Sequence, residues 1–156
     1  MAASQIEAII AAIAGISVTA DSITPTVYYG DTLKQGGDNA PMRVILPSDV
    51  DSDMRGVKFG NLSTGTFVTV VWNISDLFLF KNVSTGSGLA EAANTLIRYA
   101  GAYAAALVGH QNVIANSRNV GVEGVGISIG AYQFPVGSGT YYYGVETRYQ
   151  IREIIA

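Results

Sequence analysis

The 156 residues are enough for one domain with a sizeable core, and they contain no cysteine and a single histidine. Disulfides, thiolate metal sites and cysteine nucleophiles are thereby excluded, and the net charge of −3, from nine Lys and Arg against twelve Asp and Glu, argues against a surface for nucleic-acid backbones, which needs clustered cations. Charged residues make up 13% of the chain where ~25% is usual, so part of the exterior is expected to be covered by other subunits.

The apolar run within Met1 to Gly15 has no basic leader and carries Glu7 in its middle, unlike a signal peptide. Ser4 and Glu7 stand at capping-box spacing, and Ile6, Ile9, Ile10 and Ile13 share one helical face, which predicts a first helix ended by Gly15. Ile23 to Tyr29 is rich in β-branched and aromatic residues and reads as a strand that Pro25 confines to an edge or delays. GDTLKQGGDNAP turns the chain, and Met42 to Leu46 is a short strand bounded by Pro41 and Pro47.

Ser48 to Gly65 is polar and glycine-bearing and is expected to be a long loop that reaches a partner. Thr66 to Ile74 is apolar on both faces, as a central strand should be, and Leu77 to Phe80 resumes the apolar run after Ser75 and Asp76. Gly88 to Val108 predicts the central helix, with Ser87 as its cap. Leu89, Ala93, Leu96, Ala100, Tyr103, Ala104 and Leu107 would form its inner face, with Glu91, Asn94, Arg98 and Gly101 largely opposite; Ala92, Ala102, Ala105 and Ala106 leave room for another backbone. A polar connection over 109–121 leads to a glycine-rich strand over Val122 to Tyr132, and after the turn at 135–140 a strand over Tyr141 to Ile154 returns antiparallel. Tyr143, Val145, Thr147, Tyr149 and Ile151 should face one way, and Glu146, Arg148, Gln150 and Arg152 the other. The fold expected is α+β, of order α-β-β-β-α-β-β: a mainly antiparallel or mixed sheet of four to six strands with both helices on one face.

No chemistry assembles from these residues. Asp49, Asp51 and Asp53 resemble the opening of a calcium loop, but Met54, Arg55 and Gly56 follow and no acid stands at the twelfth position. Neither the glycines at 121, 124 and 126 nor the GSG at 137–139 ends in the GK[ST] of a phosphate loop. His110 would follow the end of the helix and complement its dipole, Trp72 would pack in the core, and Asp76 would serve a turn or a cap. We assign no catalytic, metal or cofactor residue.

The order of segments resembles the tail terminator, or tail completion, proteins of long-tailed bacteriophages. The resemblance runs through SQIEAIIAAIAG, PMRVILP, TVVWNISDLFLF leading into GSGLAEAANTLIRYAGAYAAAL, and YYYGVETRYQIREI, and so spans nearly the whole chain. It implies a structural virion protein without catalytic site or cofactor, located at the tail-neck junction and assembled in the host cytoplasm. Six copies would form a ring that caps the tail tube, ends its polymerisation and presents the head-joining surface. The implied partners are further copies of the chain, the tail tube protein and the head-tail connector or stopper, with the tape measure protein as another candidate. DNA would be met only in passage through the lumen, and no membrane is expected.

A ring of identical subunits needs two complementary patches. The candidates are the helix face bearing Arg98 and Ala102 and the hairpin residues Tyr142, Glu146, Arg148, Gln150 and Arg152. The loop bearing Asp49, Asp51, Asp53, Arg55 and Lys58 would line the lumen or dock on the tube. One alternative is another neck, connector or tail-tube subunit; a terminator closes into rings or stays monomeric until it meets a tube end, whereas a tube subunit polymerises without limit. An alternative of another class is a small-ligand or carbohydrate-binding domain using Tyr132, Tyr141, Tyr142 and Tyr143.

Overall fold

The computed structural model describes residues 4–30, 40–47, 68–85, 88–114, 119–135 and 137–155. The elements are α1 (Ile6–Ala14), β1 (Thr26–Tyr29), β2 (Met42–Pro47), β3 (Val68–Asn82), α2 (Gly88–Ile114), β4 (Val120–Gln133) and β5 (Tyr141–Ile155). They form the expected α+β fold around a five-stranded mixed sheet of order β1-β2-β3-β5-β4. Only β1 and β2 run parallel; the other neighbours are antiparallel.

Strand alternation sorts the side chains between two faces. On one face Ile45, Ile74, Phe78, Val145, Tyr149 and Ile151 pack with Ile9 and Ile13 of α1 and with Ala92, Leu96, Tyr99 and Tyr103 of α2. The Phe78 ring stacks on Tyr99 with centroids 3.9 Å apart. On the other face Met42, Val44, Leu77, Leu79 and Tyr142 form a second apolar cluster. β2 and the second half of β3 are therefore buried on both sides, as their near-continuous apolar runs require.

Four sequence expectations change. The two segments ending at Ile74 and starting at Leu77 are one strand, β3, because Ser75 and Asp76 find partners on neighbouring strands instead of turning the chain. α2 runs past Gly109 to Ile114, so His110 lies within the helix and its Nδ1–H donates to the Ala106 carbonyl at 2.7 Å. Leu96 and Tyr103 face inward as predicted, but Leu89 and Ala104 are exposed while Ala92 and Tyr99 are buried; the stacking of Tyr99 on Phe78 accompanies that rotation. The capping box at α1 does not form. Gln5 is the cap residue and makes no side-chain cap bond, while Ser4 Oγ donates to Glu153 of β5 at 2.8 Å. The turn over 31–39, the loop over 48–65 and the Ser87 cap lie outside the described residues.

Gly144, near the start of β5, marks the tightest backbone approach among the described glycines. A Cβ there would lie 2.1 Å from the Phe78 carbonyl oxygen, next to an irregularity in the β3–β5 register between Leu79 and Lys81. Only glycine lets those two strands meet as they do.

Candidate assembly interface

A cluster of charged and hydroxyl side chains in the core is closed to solvent. Arg43, on the helix-facing side of β2, is 1% exposed and forks onto Asp76 of β3, with Nε at 2.8 Å from Oδ1 and Nη2 at 2.5 Å from Oδ2. Its remaining donors reach the carbonyls of Ile13, at 2.7 Å, and of Ile16, so the guanidinium also caps the C-terminal end of α1, where a cation complements the helix dipole. Tyr103 donates its hydroxyl to Asp76, and since that hydroxyl has one proton, the Tyr149 hydroxyl donates to Tyr103.

Burial alone would lower the pKa of Arg43, but the paired Asp76 carboxylate outweighs it and holds the guanidinium above its ordinary value. Burial first, and Asp76 second, push the Tyr99 and Tyr103 hydroxyls upward; burial likewise dominates the upward shift of Tyr149. The cluster ties α1 to the sheet, and both Arg43 and Asp76 face other protein groups with almost no access to a substrate. Among the described residues the hydroxyls of Tyr99 and Thr147 are buried without a hydrogen-bond partner.

A second buried carboxylate, Glu153 at the end of β5, accepts from Ser4 Oγ, from the Trp72 indole at 2.8 Å and from the Gln5 amide at the start of α1. An anion there suits the positive end of the helix dipole. Sequence reading missed Arg43, Asp76 and Glu153 as buried charges. The signal was parity: Arg43 stands two residues from inward Ile45 and so shares its face, and Glu153 continues the inward series Tyr149 and Ile151.

The surface candidates divide differently from expectation. Glu146, Arg148, Gln150 and Arg152 do line the sheet face opposite the helices. Arg148 Nε lies 2.5 Å from Glu146, which also accepts from Ser75 Oγ at 3.0 Å, and Arg152 stands 3.7 Å from Glu123. Beside this row, β4 offers Gly121, Gly124 and Gly126, so the side chains rise from an otherwise bare strip. Tyr142 points to the same face but is 3% exposed within the second apolar cluster, which removes it as a contact residue.

Arg98 and Ala102 do not make one outward patch. Arg98 pairs with Asp21, at 3.1 and 3.0 Å, and Thr95 donates to the same carboxylate at 2.9 Å, together holding the Asp21 carboxyl below its usual range. This joins the turn after α1 to α2, while Ala102 is half-buried against the core. The outward face of α2 instead carries Ile97, 58% exposed, and Val108, 79% exposed, with Gly101, Ala104 and Ala105 between them. The signal was available as two β-branched residues off the predicted stripe. Asp49, Asp51, Asp53, Arg55 and Lys58 lie outside the described residues.

Among the described residues β4 borders the sheet with pairing on one side only, to β5. Val125 and Ile129 on its helix-facing side are 41% and 44% exposed. Of the four tyrosines considered for sugar stacking, only Tyr141 is exposed; Tyr132 and Tyr143 are half-buried and Tyr142 is buried.

Among the described residues no three His, Asp or Glu side chains converge as metal ligands, and no helix is long and apolar enough to cross a membrane. No protein-family model matches the chain, and comparison with curated proteins finds no match in sequence.

Proposed function

We propose that the chain is a ring-forming structural protein of a long-tailed bacteriophage, a tail terminator that caps the tail tube, ends its growth and offers the surface to which the head joins. The observation that carries this reading is an exterior with apolar residues where charge is usual: Ile97 and Val108 on α2, Val125 and Ile129 on β4. A low-charge chain that leaves these residues in water gains by covering them with neighbours, at roughly 25 cal/mol per Å² of apolar area buried. The resemblance in segment order supplies the identity of the assembly, with the tail tube and the head-tail connector as partners and DNA met only in passage.

Negative-stain electron microscopy of the purified chain, alone and mixed with tail tubes from a long-tailed phage, tests it. Closed rings, or a cap at one tube end, are expected. Tubes of unlimited length made by the chain itself would instead identify a tube subunit. Free particles that never occupy a tube end would remove the terminator reading.

A further inference from the structure

Among the described residues β4 pairs only with β5, and from Glu123 to Gly126, and again at Ser128, Ile129 and Ala131, it is exposed. Exposed strand edges template pairing with another strand, and proteins usually guard them with charge, proline, bulges or brevity. β4 is 14 residues long, contains no proline and has one charged residue, Glu123. Its irregularity in register falls between Val122 and Gly124, so both guards sit at its start and residues 124–133 are uncharged.

This edge is complementary to itself when a second β4 runs antiparallel to the first about a two-fold axis at Ile127. On the helix-facing side, Val125 of each copy would then lie against Ile129 of the other, and both are exposed in the single subunit. On the opposite side the two ends of β4 differ. Tyr132 folds back along its own strand: its ring lies over Gly130, and its hydroxyl donates to the Ser128 carbonyl at 3.0 Å and accepts from the Ser128 hydroxyl at 2.8 Å. The other end holds Gly124 and Gly126, where an added Cβ would meet nothing within 4 Å. Antiparallel pairing about Ile127 sets Gly124 against Gly130 and Gly126 against Ser128, so the filled end of each strand meets the open end of the other. The Ser128 carbonyl keeps a second lone pair for the ladder. The two Glu123 carboxylates, each four residues from the axis, would stand about 27 Å apart at ~3.4 Å per residue, well beyond the reach of unscreened repulsion. A parallel pairing in register would instead set tyrosine on tyrosine, leave the glycine ends unfilled and bring the two Glu123 side by side.

We propose that β4 pairs antiparallel with β4 of a second copy of this chain about a two-fold axis at Ile127, so that one sheet runs on across the subunit boundary. The contact uses the same edge on both subunits, as a two-fold interface requires, and it does not rest on the ring reading. The outward face of α2, with Ile97 and Val108, is left for a different contact.

The absence of native cysteine makes a direct test clean. Val125→Cys and Ile129→Cys are made as separate full-length variants, at exposed positions where the change leaves the core alone. Opposed residues of an antiparallel pair have Cα atoms about 4.5–5.5 Å apart, within disulfide range, whereas Val125 of one copy and Val125 of the other would be about 14 Å apart, four residues along the ladder. A mixture of the two variants, oxidised gently, should therefore give a covalent dimer, and each variant oxidised by itself should give none. Adding Gly124→Val to both should remove most of that dimer, because the new side chain enters the space beside the Tyr132 ring of the other copy. It should leave thermal unfolding unchanged or raise it, since within the subunit its Cβ meets nothing and glycine weakens a strand. No dimer from the mixture, dimers from Val125→Cys alone in equal yield, or a dimer indifferent to Gly124→Val would each overturn the proposal. Rings seen by microscopy without the cross-link would sink the two-fold contact and leave the ring reading standing; a cross-linked dimer that never builds rings would do the reverse.

Discussion

The interior around Asp76 and the outer surface formed by β4 and α2 are reversed in polarity. The interior holds a paired arginine and carboxylate and two linked tyrosines where apolar side chains are the rule, and the exterior holds Ile97, Val108, Val125 and Ile129 where charge is the rule. The two reversals have different physics. A buried charge is tolerated when the bonds it loses to water are replaced, and Arg43 turns four of its five N–H donors to Asp76, to the Ile13 carbonyl in the last turn of α1 and to the Ile16 carbonyl just beyond it. An exposed apolar side chain needs no partner to be tolerated, and the group of them on an edge strand and a helix face is a candidate contact surface. The interior reversal concerns the fold, and the exterior one is what the proposed assembly rests on.

The largest effect should come from breaking the interior pair on one side only. Asp76→Ala leaves Arg43 buried without its counter-charge and should cost about 3–5 kcal/mol, whereas Arg43→Met combined with Asp76→Leu should recover most of that loss. Denaturant unfolding of the three variants measures both numbers, and a double variant as unstable as Asp76→Ala would show that the pair does more than neutralise itself. Gly144→Ala comes next, at about 1–3 kcal/mol, because the new Cβ meets the Phe78 carbonyl and the backbones must part.

Tyr99→Phe should act in the opposite direction. It removes a buried hydroxyl that has no partner and should stabilise the protein by about 1 kcal/mol. The same residue sharpens a pH prediction. Tyr99, Tyr103 and Tyr149 stay protonated in the folded protein well above pH ~10, where the unfolded chain releases those protons. The unfolded state then binds fewer protons than the native one, so stability is intact below pH ~10 and falls as the pH rises beyond it. Unfolding midpoints taken across that range should decline for the native sequence and less steeply for Tyr99→Phe.

The smallest effect on stability should accompany the exterior. Ile97→Ser and Val108→Ser should each change unfolding by no more than ~0.5 kcal/mol, since both side chains are mostly in water already. They should nevertheless reduce self-association, measured by sedimentation. An equal loss of folding stability would mean that these residues serve the core instead.

Much of the fold was legible in the sequence because periodicity reports burial. The order of elements, both helices, the proline-bounded β2 and the long β5 with its outward row of Glu146, Arg148, Gln150 and Arg152 all follow from pattern. What pattern reading missed follows from treating polarity as a proxy for position. Ser75 and Asp76 looked like a break between strands because their partners, Glu146 and Arg43, lie on other strands and cannot be seen locally. Gly109 looked like a helix end, yet α2 continues and His110 bonds back into it. The proposed contacts were legible only in part. The hairpin row has the predicted orientation, but Arg98 is occupied by Asp21 and Tyr142 is buried, while the outward residues Ile97 and Val108 lie off the predicted inner stripe of the helix and were given no role by pattern.

The most direct test of the account is sedimentation velocity of the full chain over a range of concentrations, with and without tail tubes, because its central claim is that the apolar exterior is where copies of the chain meet. A closed species of fixed mass, a whole-number multiple of 16.4 kDa that grows in amount but not in size, is the predicted result. A single 16.4 kDa species at every concentration, tubes or no tubes, would contradict it.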